Sequence, residues 1–551
     1  MLALSLHYNM LQMNLAKRFL VAFALVLMLM PAHGQFACWV QFANKNGTTG
    51  TLSNPTAYLS SRAIDRRSKQ HIAIDSTDLP VSANYIQQVL LLGGTVKHES
   101  KWLNGVTVLL TDTTSFLSGL RTLPFVLHFQ VTQTPVASSG VAVQRVSEMP
   151  SMINDVYGNA YRQIDMHNGR LLHNAGFRGA GMIIGVLDAG FYKTDVLTVF
   201  DSLHIQNRLL GTHDFADPAT PFYSNTESHG TSVLSTMAAN WPDQMRGTAP
   251  DASYWLIHTE YSPSEYVVET DNWVAGAEFA DSVGVDVINS SLGYTEFDNA
   301  KMNFKNSNLN GRTSRASIAA TMCARKGMIV VSSAGNEGSN SWHYISTPAD
   351  ADSILTVGAV DYTSAHAYFS GYGPTADGRI KPDVCAVGVS SVIANTSNAI
   401  TTGNGTSFSS PIMAGLVACL WQSLPSFTNM QIINLIKQYS TQYSSPNNSL
   451  GYGIPDIYAA YHNNTVATLS VSDKLSKGIV YFANGILHID RTETVKSPAL
   501  AMLFSQTGQK LAEWRIQNIP ISFDLQAMPT GFYLLTISDS QSKEQYKLIK
   551  Q

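Results

Sequence analysis

The sequence predicts an α/β protein built on a parallel sheet with helices on both faces, preceded by a small α+β domain and followed by a small β-sandwich. Short β-branched strands alternate with longer helical patterns from about residue 160 to 462. That alternation is typical of a parallel sheet covered on both faces. The flanking regions lack it, and the length of 551 residues leaves room for each to fold as a unit of its own.

Composition and length exclude several classes of protein. Charged residues make up 13% of the chain and hydrophobic residues 44%, which describes a globular chain with a lightly charged surface and not a disordered one. The formal net charge is −4, so no basic excess exists to neutralise a nucleic-acid backbone. A small binding module and a nucleic-acid-binding protein are both excluded.

The N-terminal segment has the order of a secretory signal peptide. A basic pair precedes an apolar run from Phe19 to Met30, and small residues occupy the −3 and −1 positions before Gln35. The run is well short of the ~20 residues that a membrane anchor needs. We expect a signal peptide over residues 1–34, in which Met13 would also serve as a start codon, and a soluble protein that is secreted or displayed at the cell surface.

The region from residue 35 to 145 mixes strand and helix patterns and predicts a small α+β domain. Its strand-like runs are Val106–Leu110 and Phe125–Val131, and its helical stretches are Tyr85–Leu92 and Thr114–Leu120. The Ser/Val/Gln-rich segment from Thr134 to Arg145 is typical of a linker.

The central region, residues 146–463, supplies the strands of the predicted sheet. They are Met182–Leu187, Ser253–His258, Val285–Asn289, Met328–Ser332 and Ile354–Val360, with helices such as Glu265–Val283 between them. A sheet of this kind presents reactive side chains beyond the carboxyl ends of its strands.

The last region, residues 464–551, predicts a β-sandwich of about 80 residues. The prediction rests on runs of alternating apolar and polar residues that are separated by pairs of turn-forming residues. The runs are Ile479–Phe482, Ala501–Phe504 and Gly531–Ile537, and the turn pairs are Asn484-Gly485 and Thr507-Gly508.

The cysteines indicate neither a disulfide scaffold nor a zinc site. There are four, Cys38, Cys323, Cys385 and Cys419, and no pair has the two-residue spacing of a zinc knuckle. We expect buried thiols, with one disulfide as the open alternative.

Four segments of the central region each offer a reactive group. Asp188 ends an apolar strand, His229 precedes a glycine at a helix start, and Asn336 lies in a glycine turn after another strand. Ser407 follows Gly405 at the start of an apolar helix, where we expect an exposed hydroxyl and a free N–H. Each residue alone has an ordinary structural explanation, such as a turn, a surface histidine or a helix cap.

Together the four groups meet the needs of acyl transfer. That reaction requires a hydroxyl nucleophile, an imidazole to take its proton, a carboxylate to stabilise the imidazolium, and N–H donors for the tetrahedral oxyanion. The four segments offer one of each, and their conjunction is far more specific than any single member.

These segments resemble the subtilisin-like serine proteases, the subtilase family, whose triad runs in the chain order Asp, His, Ser. The resemblance covers about residues 160–462 and includes further motifs in family order: Ser290–Gly293, Phe369–Pro374, Lys381–Val384 and Gly451–Gly453. It implies that Asp188 orients His229, that His229 is the general base, and that Ser407 is the nucleophile. Asn336 and the Ser407 N–H would form the oxyanion hole.

The resemblance also implies a site for protein or peptide substrates. Ser291, Leu292 and Gly293 match the strand that pairs with the substrate backbone, and Ala334 and Gly335 match a wall of the pocket for the residue before the cut. The chain departs from the family at two places. Ala189 replaces the usual Ser or Thr after the aspartate, and Phe408-Ser409 replaces the usual Met-Ala after the nucleophile.

Both flanking regions resemble known domains. Residues 35–145 are similar to the inhibitory propeptides of secreted subtilisin-like enzymes, most clearly over Ser100–Val106, which implies an intramolecular inhibitor removed by self-cleavage near the linker. Residues 464–551 resemble the C-terminal sorting domains of the Bacteroidetes type IX system, over Phe504–Lys510, Met528–Tyr533 and Gln545–Lys550. That likeness implies outer-membrane secretion machinery as a partner; a carbohydrate-binding or spacer sandwich is the alternative.

The sequence therefore predicts an exported serine endopeptidase that is made as a precursor and works through an acyl-enzyme. The alternative is a non-catalytic surface or adhesion protein on a subtilase scaffold. An esterase or lipase is disfavoured because no Gly-x-Ser-x-Gly elbow surrounds Ser407. The resemblance implies that no cofactor is required for the chemistry. Calcium is common in the family, but no ligand set can be assigned from the sequence.

Overall fold

The computed structural model describes residues 35–135, 156–465 and 480–550, the last range without 484–485, 490–497, 506–507, 519, 530 and 541–542. The predicted signal peptide and most of the predicted linker lie outside the described residues. The chain forms two compact units, one ending at Ala460 and the other beginning at Tyr461. None of the described helices is long and apolar enough to cross a membrane.

The N-terminal part of the first unit is a four-stranded antiparallel sheet in the order β2-β3-β1-β4, with three helices. Its elements are β1 (Phe36–Phe42), α1 (Ser61–Lys69), α2 (Ala83–Leu90), β2 (Thr95–Ser100), β3 (Gly105–Leu110), α3 (Thr114–Leu120) and β4 (Val126–Gln133). A core that includes Val40, Val108 and Phe116 lies within this part. The predicted α+β architecture is confirmed.

The rest of the first unit contains the predicted parallel sheet. Seven strands lie in the order β13-β12-β11-β10-β5-β9-β6 and all pairs are parallel. The strands of this region are β5 (Ile183–Asp188), β6 (Leu209–Asp214), β7 (Asn240–Trp241), β8 (Met245–Arg246), β9 (Ser253–His258), β10 (Val287–Ser290), β11 (Ile329–Ser333), β12 (Leu355–Val360), β13 (Val384–Val387), β14 (Ser391–Ala394) and β15 (Ile400–Gly403).

Helices cover both faces of this sheet, as predicted. They are α4 (Tyr161–Asp165), α5 (Gly169–Asn174), α6 (Asp201–Ile205), α7 (His229–Ala238), α8 (Val268–Val283), α9 (Arg315–Arg325), α10 (Thr406–Ser423), α11 (Asn429–Gln438) and α12 (Ile457–Thr465). Helices α7 and α10 pack together, and α10 crosses β10 to β13; α8 and α9 pack together and contact β5 and β11, respectively. Most residues of the central strands are buried, which explains their continuous apolar sequences.

Helix α8 is covered on its other side by the N-terminal part of the chain. It contacts β1, β2 and α1 as well as β5, β9 and α9, so even its charged residues Asp271, Glu278 and Asp281 are buried. The four cysteines are free and buried. The prediction of buried thiols is confirmed, and burial raises the pKa of each thiol.

The second unit consists of two antiparallel sheets in the orders β16-β17-β20 and β19-β18-β21-β22. Its strands are β16 (Val480–Ala483), β17 (Ile486–Ile489), β18 (Ala499–Ser505), β19 (Lys510–Ile516), β20 (Ile521–Asp524), β21 (Gly531–Ser538) and β22 (Lys543–Lys550). Leu487 of one sheet and Leu503 and Leu535 of the other share one core, which is the predicted sandwich. Asn484-Gly485 and Thr507 lie outside the described residues.

Candidate active site

Asp188 ends β5, and its carboxylate is fully buried beside His229. Oδ1 accepts the Ala189 N–H at 2.8 Å and lies 2.6 Å from His229 Nδ1. Oδ2 is buried and has no hydrogen-bond partner among the described residues. Ala189, the residue at which the chain departs from the family, has no side-chain hydroxyl to offer this oxygen.

His229 is the first residue of α7, so the start of a helix holds its ring against the end of β5. Its backbone N–H donates to Glu227 Oε1 at 3.1 Å. The close approach requires Gly230, because a Cβ there would lie 2.5 Å from the carbonyl oxygen of Gly190. Burial lowers the pKa of His229, but the charge and hydrogen bond of Asp188, with the charges of Glu227 and Glu260, outweigh burial and raise this pKa to about 8.

Ser407 is the second residue of α10 and is 5% exposed. Its hydroxyl donates to the carbonyl oxygen of Ser291 at 3.3 Å. The expectation of an exposed side chain is wrong, because the start of α10 packs against the chain that follows β10. No hydrogen bond of the described residues joins Ser407 to His229, whose ring centre lies 6.3 Å from that of Phe408, the next residue after the serine.

Pro411 leaves the Ser407 carbonyl available for a side-chain contact. Proline has no N–H, so it cannot make the helical bond to the carbonyl four residues earlier. The Ser291 hydroxyl donates to that carbonyl instead, at 2.9 Å. Asn289 Nδ2 donates to the Ser291 hydroxyl at 3.0 Å, and Ser410 donates to Asn289 Oδ1 at 2.9 Å. This buried network fixes the start of α10 relative to β10.

Asn336 follows β11 and is exposed, and its side chain is oriented by Thr406. Asn336 Oδ1 accepts the Thr406 N–H at 2.9 Å and the Thr406 hydroxyl at 3.0 Å. Nδ2 is thereby left to donate elsewhere, and a Cβ at Gly405 would lie 3.7 Å from it. The N–H of Ser407 has no acceptor among the described residues, so two N–H groups are available around one helix start.

The predicted substrate-binding residues differ in their accessibility. Gly293 is exposed, and neither of its backbone polar groups has a partner among the described residues. Ser291 and Leu292 are buried, and Leu292 packs in the core beside the sheet. Ala334 and Gly335 are also buried, and their carbonyls accept the N–H groups of Ser346 and Gly371. Gly293 is thus the one exposed residue among these five.

Thr406, Asn289 and Ser410 support the site, and sequence reasoning did not single them out. The signal that could have found Thr406 is its hydroxyl directly before Ser407. Asn289 and Ser410 give no such signal, because they meet only when β10 and α10 pack together.

The comparisons with known proteins agree with this geometry. Residues 179–453 match the model of the subtilase family, and residues 37–147 match a model of the peptidase S8 propeptide domain of Bacteroidota. Subtilisin NAT from Bacillus subtilis subsp. natto is 28% identical over 375 residues, which are 67% of this chain and 83% of that protein. The thermostable alkaline protease of Halalkalibacterium halodurans is 30% identical over 285 residues, 51% of this chain and 68% of that protein. Subtilisin DY from Bacillus licheniformis is 30% identical over 268 residues, 48% of this chain and 86% of that protein. The chain belongs to the subtilase family of serine peptidases.

Proposed function

We propose that the protein is an endopeptidase in which Asp188, His229 and Ser407 form the catalytic triad. The observation that carries the proposal is the 2.6 Å contact between His229 Nδ1 and Asp188 Oδ1, at the carboxyl end of β5 and beside the start of α10. A neutral His229 with Nδ1–H held by Asp188 leaves Nε2 to accept a proton. Rotation of the Ser407 side chain away from Ser291 would bring its hydroxyl to that nitrogen.

In the proposed reaction, Ser407 Oγ attacks the carbonyl carbon of the scissile peptide while His229 takes the hydroxyl proton. Asp188 stabilises the imidazolium that forms. The raised pKa of His229 reflects the same stabilisation and suits a general base. The oxyanion accepts hydrogen bonds from the Ser407 N–H and from Asn336 Nδ2. His229 then gives its proton to the leaving amine, and a water activated by the same imidazole hydrolyses the ester of Ser407. Substrate would bind as an extended strand beside Gly293.

Labelling with a phosphonate directed at active-site serines tests the proposal. We expect one label per purified chain, on Ser407, because only a hydroxyl beside a general base is nucleophilic enough to react. The readout is the intact mass followed by peptide mapping. A protein that takes no label, or a Ser407→Ala variant that is labelled as well as the wild type, would favour the non-catalytic alternative.

We further propose that residues 35–145 act as an intramolecular inhibitor. The support is a set of buried charges between this region and α8. Arg66 and Arg67 contact Asp281 at 2.5 and 2.6 Å, and all three side chains are almost fully buried. Glu278 accepts the Ser100 hydroxyl at 2.5 Å and the N–H of Trp102 at 3.1 Å. These contacts hold the region in one orientation on the enzyme.

The last described residues of this region contact the segment that precedes α8. The last strand, β4, ends at Gln133, and the Thr134 hydroxyl donates to the hydroxyl of Tyr266 at 3.4 Å. Tyr266 precedes α8 by two residues. The proposed cleavage site, in or near residues 134–145, comes directly after this contact along the chain.

Replacement of Asp281 by asparagine is expected to destabilise the full-length protein. Arg66 would stay buried without its ion-pair partner, and Arg67 would keep only its pair with Asp78; breaking such a buried pair costs about 3–5 kcal/mol. The free energy of unfolding in urea, measured on a Ser407→Ala background to prevent self-digestion, gives the value. Asp251→Asn is the matched control: its pair with Arg178 is partly exposed, and its loss should cost less than about 1 kcal/mol. Equal losses in the two variants would contradict the prediction.

We propose that residues 1–34 direct export and that the C-terminal sandwich is a type IX sorting domain that engages outer-membrane secretion machinery. The support is the sequence resemblance together with the two-sheet fold of the second unit. Deleting residues 464–551 and measuring the enzyme in the culture medium and on the cell surface tests this. Unchanged export would favour a carbohydrate-binding or spacer role.

A further inference from the structure

Three carboxylates outside the triad lie together near the start of α8. Glu260 follows β9, Glu265 lies in the next loop, and Glu269 is in the first turn of α8. One oxygen from each lies within 4.8 Å of the other two. The ion pairs of the described residues include none of the three, so this cluster has no lysine, arginine or histidine within contact to balance its charge.

Glu269 carries a second, independent sign of a missing partner. The residue is 1% exposed. Its Oε1 accepts the N–H of Tyr261 at 3.2 Å, whereas Oε2 is buried and has no hydrogen-bond donor among the described residues. A buried carboxylate oxygen without a partner is costly. Burial, followed by the charges of neighbouring carboxylates, raises the pKa of all three groups, that of Glu260 to about 7.

We propose that Glu260, Glu265 and Glu269 bind a divalent cation of the calcium type. The donors are all oxygen, which hard cations prefer, and the cluster has no sulfur or imidazole that would suit zinc or copper. Calcium–oxygen distances of about 2.3–2.6 Å place ligands on opposite sides of one ion roughly 5 Å apart. The three oxygens, all within 4.8 Å of one another, therefore lie close enough together to ligate one ion.

The ion would join three parts of the chain around the substrate side of the enzyme. Glu260 Oε2 accepts the hydroxyl of Tyr294 at 3.3 Å, and Tyr294 follows Gly293 directly. The Tyr294 backbone pairs with Thr347. A cation at the cluster would thus connect the end of β9 and the start of α8 to the segment on which we expect substrate to bind.

The test measures metal binding directly and does not depend on activity. The full chain with Ser407→Ala is stripped with a chelator and titrated with Tb³⁺, whose emission is sensitised by nearby tyrosines, and its melting temperature is measured with and without millimolar Ca²⁺. We expect saturable Tb³⁺ emission that Ca²⁺ competes away, and a Ca²⁺-dependent rise in melting temperature of several degrees. If the Ser407→Ala chain binds no metal while the wild-type protein cleaves peptides, the inference is overturned and the proposed protease function stands.

Charge-removing variants locate the site. Glu265→Gln, which is partly exposed, and Glu269→Gln should each weaken binding by about tenfold or more. Glu296→Gln is the matched control, since it is an exposed glutamate two residues after Tyr294 and should bind as the wild type does. Unchanged Tb³⁺ emission and melting behaviour in both cluster variants would overturn the assignment. The absence of any metal response in the Ser407→Ala chain would also overturn the assignment. The charge of the cluster would then be neutralised by protons that the carboxylates share.

Discussion

Replacing Ser407 with alanine is expected to lower turnover by about a millionfold, the loss known for removing the serine of subtilisin, a relative. The physical reason is that the variant lacks the hydroxyl that attacks the substrate and carries the acyl group in the proposed mechanism. Hydrolysis of a fluorogenic peptide, with kcat and KM separated, gives the measurement. The full-length precursor should also remain uncut on a gel.

Ser409→Ala is the matched control for this change. Ser409 lies two residues further along the same helix, and its buried hydroxyl donates to the Thr406 carbonyl at 3.1 Å. It should keep activity within about an order of magnitude, since the lost bond is an ordinary one. Processing of the Ser407→Ala precursor at its usual site would show that another protease performs that cut.

Replacing Asn336 with alanine should lower kcat by about a hundredfold to a thousandfold with little change in KM, because its amide is expected to bind the oxyanion only as charge develops. That range is the one known for the corresponding donor of subtilisin. Thr406→Val tests the positioning: it removes the hydroxyl contact to Asn336 Oδ1 but keeps the N–H contact, so we expect a smaller loss in kcat.

Ser339→Ala is the control for Asn336, because it is exposed in the same loop. It should behave as the wild type does. A loss of only a few-fold in Asn336→Ala would mean that the residue is a turn residue and that the Ser407 N–H alone meets the oxyanion.

The central strands could be predicted because burial on both faces selects unbroken β-branched runs. Strand β6 was not predicted: its residues are only partly buried, so Leu209–Asp214 carries little apolar signal. Strand β1 was also missed, although Phe36–Phe42 is apolar except for Gln41; its place in the sheet comes from pairing on both edges. Neighbouring strands, which the local sequence does not show, determine both.

The reactive residues could be predicted because each lies at a strand end or helix start, which local sequence marks. The residues that hold them in place could not be predicted. The bond between Ser291 and Ser407 joins residues 116 positions apart, and it depends on the carbonyl that Pro411 leaves free. Glu260 gives no local sign of its nearness to Asp188 and His229. Such contacts arise from packing of separate elements, so a single sequence does not encode them in any one segment.

The charged side of α8 has a consequence for the proposed removal of the N-terminal region. Asp271, Glu278 and Asp281 face that region and are all buried by it. An apolar helix face exposed in this way would be prone to aggregation. The carboxylates of α8 would instead be hydrated on exposure, as polar groups are in protein interfaces that form and separate. The charged face of α8 therefore suits both the precursor and the mature enzyme of the proposed maturation, in which this face would be exposed to water.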